Sequence, residues 1–103
     1  MGTRMKDPEA CENLQDVRDA CDAIDREIVA LLGKRMPYVR TAVRFKRSET
    51  DIMQPDKMPA FMRERREWAA DEGLDANFVE RLYQVLVDHS FQVQMALWRA
   101  GKR

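Results

Sequence analysis

The sequence holds one histidine and two cysteines, and no apolar run in it approaches the ~20 residues needed to cross a bilayer. HExxH, GxSxG and Gly-rich phosphate-loop patterns are absent, and no motif sets a partner for His89. Metal, nucleophilic and cofactor chemistries therefore lack their usual residues, and neither a cofactor nor a metal is expected. Cys11 and Cys21 stand ten apart with no CxxC between them, which implies neither a disulfide framework nor a zinc site; both read as reduced thiols, Cys21 as a small hydrophobe. The N-terminus lacks the apolar core of a secretion signal, so a cytoplasmic address is expected. Net charge is lacking too. The 18 basic and 18 acidic side chains cancel, whereas partners such as nucleic acid or anionic membrane usually leave a net basic footprint. An anion site, if present, must be local. With no repeat, low-complexity tract or linker, residues 1–103 read as a single small domain with a core of about 14–98.

What is present is helical periodicity. Leu14, Val17, Cys21, Ile24, Ile28 and Leu31, continued by Tyr38, Ala42 and Phe45, follow a 3-4-3-4 spacing and fall on one stripe. Asn13 is placed to cap this helix, and Asp7-Pro8-Glu9 resembles an earlier helix start. Met58, Phe61, Met62, Arg65, Trp68 and Ala69 mark a second helix closed near Gly73, and SETDIMQPD before it reads as a loop. Asp75 can cap a third, with Phe78, Val79, Leu82, Leu86, Val93 and Leu97 on its apolar face and Gly101 near its end. The expected class is all-α with three helices and no sheet. A first helix running unbroken from Asn13 to Lys46, bent at Pro37, would be roughly 50 Å long at ~1.5 Å per residue. A globule of this chain length is only about 33 Å across. The overshoot predicts an intertwined homodimer that covers the protruding stripe, the alternative being an open coiled-coil hairpin.

The stretch LLGKRMPYVRTAVRFKR, Leu31 to Arg47, carries six basic residues and no acid. Arg35 fills the core position missing between Leu31 and Tyr38, and on a continuous helix Lys46 would face within about 20° of it. A buried cation requires a counter-charge, from the protein or from a ligand. The third helix has a matching oddity, because Ser90 and Gln94 interrupt its apolar face. Two readings stay open at this point. Arg35 could pair with a structural acid such as Asp88 or Glu80 while Lys46 reaches solvent along its stem, or the cations and amide donors could bind a small polyanion whose reaction needs positioning and charge stabilisation.

These residues carry a resemblance. LQDVRDACDAID at 14–25, IVALLGKRMPYV after it, and the downstream Lys46 and Gln94 resemble the all-helical chorismate mutase family over about Leu14 to Trp98. The resemblance implies an intertwined dimer of three-helix protomers, the chorismate mutase type II fold. It implies a dicarboxylate substrate, isochorismate or chorismate, held by Arg35 and Lys46 of one protomer with Arg18 of its partner. Lys46 and Gln94 would be the catalytic donors to the ether oxygen of a pericyclic reaction, which needs no general base, nucleophile, nucleic acid or membrane.

The departures narrow the choice within the family. Dedicated mutases usually carry an Arg-Glu pair at the start of the second helix, where this sequence has Lys57 and Met58. An apolar residue there, with PEAC, ERREWAADEGLDANFVE and the Gln94-to-Trp98 QxxxW, resembles the isochorismate pyruvate lyase branch, which forms salicylate and pyruvate and retains mutase activity. Lys57 would then close over a substrate carboxylate. Ser90, one turn before Gln94, resembles the mutases instead and joins the expected substrate-binding set. The expectation is a lyase with mutase activity. The enzyme alternative is a dedicated mutase forming prephenate, and the non-enzyme alternative is a helical dimerisation or nucleic-acid-binding module using Arg40, Arg44 and Arg47.

Overall fold

Helix termini organise this chain, and each is set by a short sequence signal. The computed structural model describes residues 5–101 and contains, in order, a 3-10 turn at Pro8–Ala10, α1 (Leu14–Ala42), a 3-10 turn at Val43–Phe45, α2 (Glu49–Met53), α3 (Met58–Asp71) and α4 (Ala76–Arg99). Among the described residues there is no strand. The chain divides into two compact units, one ending at Pro37 and the next beginning at Tyr38.

In the first unit, Asn13 Oδ1 accepts from the Asp16 N–H at 2.8 Å, satisfying one of the donors that a helix start leaves open. The Asp16 carboxylate reaches back to the Glu12 N–H at 3.0 Å and pairs with Lys6 Nζ at 2.9 Å, so the cap is reciprocal. The Glu12 N–H and then Lys6 hold the Asp16 pKa below its ordinary value. The start expected at Asp7 amounts to one 3-10 turn, without a side-chain cap. Cys11 is half-buried and Cys21 exposed, and both thiols are free. The apolar stripe lies bare: Leu14 is 61% exposed, Ile28 50% and Leu31 62%.

α1 continues through Pro37 but stops at Ala42, short of the Lys46 end expected from the periodicity. Its 29 residues span about 44 Å. The chain tightens into the Val43–Phe45 turn, which buries Val43 completely, and leaves Lys46 extended at φ −94°, ψ 145°. The helical-wheel relation that aligned Lys46 with Arg35 therefore does not hold.

The second unit carries the core, built from Val39, Val43, Ile52, Ala69 and Val87 together with the buried polar side chains of Ser90 and Gln94. The expected SETDIMQPD loop contains α2, a short addition to the three long helices. Periodicity cannot reveal a five-residue helix, but its caps do: Ser48 Oγ accepts from the Asp51 N–H and Asp51 Oδ2 from the Arg47 N–H, each at 3.0 Å. Gln54 closes it in the left-handed region at φ 44°, donating its N–H to Thr50 O at 2.9 Å. Ile52, 1% exposed, anchors it.

α3 ends in a Schellman motif, with Gly73 at φ 72°, its N–H on Ala70 O and the Leu74 N–H on Ala69 O. Arg65 occupies an apolar position of this helix because its guanidinium lies 3.6 Å from the Phe61 ring centroid and 4.5 Å from that of Trp68. Its Nε is buried without a hydrogen-bond partner. Asp75 caps α4 through the Asn77 N–H at 2.8 Å. The buried line of α4 is Val87, Ser90 and Gln94. Phe78 and Leu82, expected on the core face, are 44% and 53% exposed. The core face is set by what α2, α3 and the 3-10 turn cover, not by the most apolar line of α4 alone.

Candidate active site

Gln94 is the most enclosed of the expected site residues after Ser90, 7% exposed on α4. Its Nε2 donates to Val39 O at 2.8 Å. A carboxamide nitrogen has two hydrogens, so one donor remains after this bond. Burial fixes the side chain, and a fixed donor is aimed without reorganisation when charge develops beside it. One turn earlier, the buried Ser90 hydroxyl donates to Leu86 O at 3.0 Å. The structure thus brings Ser90 and Gln94 together on one line of α4.

Lys46 follows the 3-10 turn, half-buried, and its Nζ donates to Asp51 O at 3.2 Å. Lys57 is exposed at the N-cap of α3. It lines an open pocket of about 420 Å³ with Arg47, Ser48, Thr50, Asp51 and Gln54. Met58, next along, is half-buried. The acids considered as structural partners for a buried cation are engaged, Glu80 with Arg66 at 3.0 Å and Asp88 with Gln84 at 2.9 Å.

Arg18 and Arg35 lie in the first unit on the same helix, Arg18 exposed and Arg35 half-buried. Seventeen positions separate them, about 25 Å along the axis at ~1.5 Å per residue. A single small molecule cannot touch both within one chain. Sequence reasoning missed two contributors to this region, the Val39 carbonyl that orients Gln94 and the Asp51 carbonyl that receives Lys46. The Ser48-to-Asp51 capping spacing was the available signal for the second, and nothing in the sequence points to the first.

Comparison with known proteins places these residues in a family, since residues 17–95 match the chorismate mutase type II family. The chain belongs to that family. All six positions, Arg18, Arg35, Lys46, Lys57, Ser90 and Gln94, fall inside the matched segment. An isochorismate pyruvate lyase of Pseudomonas aeruginosa is 46% identical over 95 residues, covering 92% of this chain and 94% of that protein. A 4-amino-4-deoxychorismate mutase of Streptomyces venezuelae is 29% identical over 82 residues, covering 79% of this chain and 80% of its own. Among the described residues, no helix of this chorismate mutase type II chain is long and apolar enough to cross a membrane.

Proposed function

We propose that this chain is an isochorismate pyruvate lyase with chorismate mutase activity, acting in the cytoplasm as an intertwined homodimer without a cofactor. The observation that carries the reading is its 46% identity with the Pseudomonas aeruginosa lyase across nearly the full length of both chains. In this reading the ring C–H and the ether C–O bonds break as the hydrogen moves to the enolpyruvyl methylene, giving salicylate and pyruvate from one isochorismate. Lys46 and Gln94 donate to the ether oxygen as negative charge gathers on it. Each such preorganised donor is worth about 10²–10³ in rate. Arg35 and Lys57 hold carboxylates and keep the reactive conformer, so that positioning supplies most of the remaining barrier reduction.

Two observations support the dimer. The α1 stripe is exposed from Leu14 to Leu31, and a bare apolar face of that length calls for a partner helix. The ~25 Å between Arg18 and Arg35 means that, if both serve one pocket, Arg18 reaches it from a second copy.

Ser90, buried one turn from Gln94, favours a second reading, a dedicated mutase converting chorismate to prephenate. A paired assay decides between them. Purified protein is given isochorismate and chorismate separately, with salicylate followed by fluorescence and prephenate by chromatography. Salicylate formation well ahead of prephenate formation is expected. Prephenate alone would replace the lyase by a mutase. Activity with neither substrate would turn attention to Arg40, Arg44 and Arg47, all exposed, as a phosphate-binding ridge.

A further inference from the structure

We infer that Ser48, Asp51 and Pro55 are positioning residues for the Lys46 ammonium. In a helix, Asp51 O would accept the N–H four residues on, but left-handed Gln54 turns the chain out of α2 and the residue after it, Pro55, has no N–H and disfavours a helical residue before it. The N–H of Gln54 is committed to Thr50 O at 2.9 Å. Asp51 O is thus left as an acceptor at the C-terminal end of α2, where the helix dipole favours a cation. Lys46 Nζ occupies it at 3.2 Å.

The carbonyl is itself held from both sides. Ser48 Oγ accepts from the Asp51 N–H at 3.0 Å, and Asp51 Oδ2 accepts from the Arg47 N–H at 3.0 Å. These bonds tie residue 51 to the residues that immediately follow Lys46, while buried Ile52 fixes the helix to the core. An ammonium has three N–H donors, so a bond to Asp51 O leaves two for a ligand. A lysine stem samples many rotamers, and freezing them before a ligand arrives removes that ordering from the reacting complex.

This inference rests on the reading that Lys46 serves the substrate, and its test separates the two. Ser48→Ala, Asp51→Ala and Pro55→Ala are made in the full chain, with Ser48→Thr and Asp51→Asn as conservative partners that keep the capping oxygen. Pro55→Ala supplies an N–H and lets Gln54 turn helical, so that α2 extends and the new N–H competes for Asp51 O. One readout is kcat and KM for isochorismate. The other is reductive methylation of Lys46, measured by mass spectrometry against exposed Lys34. Each disruptive variant is expected to lower kcat about tenfold with KM within about twofold, and the conservative pair to stay within about twofold of wild type. Methylation of Lys46 relative to Lys34 should rise about threefold or more in the disruptive variants, because an ammonium freed from its acceptor is more accessible. Unchanged Lys46 methylation in all three would overturn the inference whatever the activity. So would an equal kcat loss in a Lys46→Met background, where a residue acting only through Lys46 has nothing left to position. If the wild type turns over neither substrate, the functional reading falls, and the methylation ratio alone upholds or overturns the clamp.

Discussion

Replacing Gln94 by glutamate exchanges the side-chain NH2, with its two N–H donors, for an oxygen, and the structure says where the consequence falls. The Nε2 donor 2.8 Å from Val39 O is lost, in a side chain only 7% exposed. An ionised carboxylate at this position would set two acceptors against each other away from water, a loss of about 1–3 kcal/mol for the missing bond alone. The group can escape by taking a proton, after which its O–H donates to Val39 O. Burial and the facing carbonyl should raise its pKa by about two units, which at 1.36 kcal/mol per unit is about 2.7 kcal/mol. Between the unfolded value of about 4.3 and a native value of about 6.3, the native state binds more protons, so stability falls as pH rises through that window and is constant above it. Urea unfolding of wild type and variant, at one protein concentration, should show a gap at pH 8 that is about 2.5 kcal/mol larger than at pH 4. Salicylate formation should be lost at pH 8 and only partly recovered near pH 5, since protonation removes the charge that repels the departing oxygen but leaves a single O–H to serve both that oxygen and Val39 O. A gap independent of pH would refute the account of the buried donor, and wild-type activity of the variant at pH 8 would remove Gln94 from the reaction.

Other predictions concern the assembly, the caps and the core. Co-refolding Arg18→Ala with Lys46→Ala in equal amounts should restore about a quarter of wild-type activity, because half the dimers are mixed and each mixed dimer has one intact site. No recovery would mean that Arg18 acts within its own chain. Asp16 has a lowered native pKa, so its stabilisation is present above the ordinary carboxylate value of 3.8 and is lost as pH falls through the native value. The stability difference between wild type and Asp16→Asn should accordingly shrink as urea midpoints are followed from pH 6 to below pH 3; a constant difference would contradict this. Ile52→Ala should cost about 2–4 kcal/mol in chemical denaturation, since Ile52 is 1% exposed. A loss under about 0.5 kcal/mol would mean that α2 is not anchored as described.

The all-α class, the three long helices and most of their ends are legible in the order of residues alone. Those depend on local chemistry: Asn13 and Asp75 cap through bonds to residues two or three positions on, and Gly73 turns the chain with a conformation that other residues disfavour. The family was also legible, through the resemblance carried by LQDVRDACDAID, IVALLGKRMPYV and the downstream Lys46 and Gln94. Tertiary structure alone decided where α1 gives way to a 3-10 turn, since the burial of Val43 depends on the elements packed over it. It decided that Phe78 and Leu82 stay exposed in this chain although their spacing matches that of the core residues. It placed Gln94 on Val39 O, fifty-five residues away in sequence, and gave Lys46 the carbonyl that Pro55 leaves without an N–H partner. Local rules read the hydrogen bonds a residue makes with its neighbours along the chain. Which carbonyl a buried amide meets is set by packing between elements, and no periodicity in the sequence encodes it.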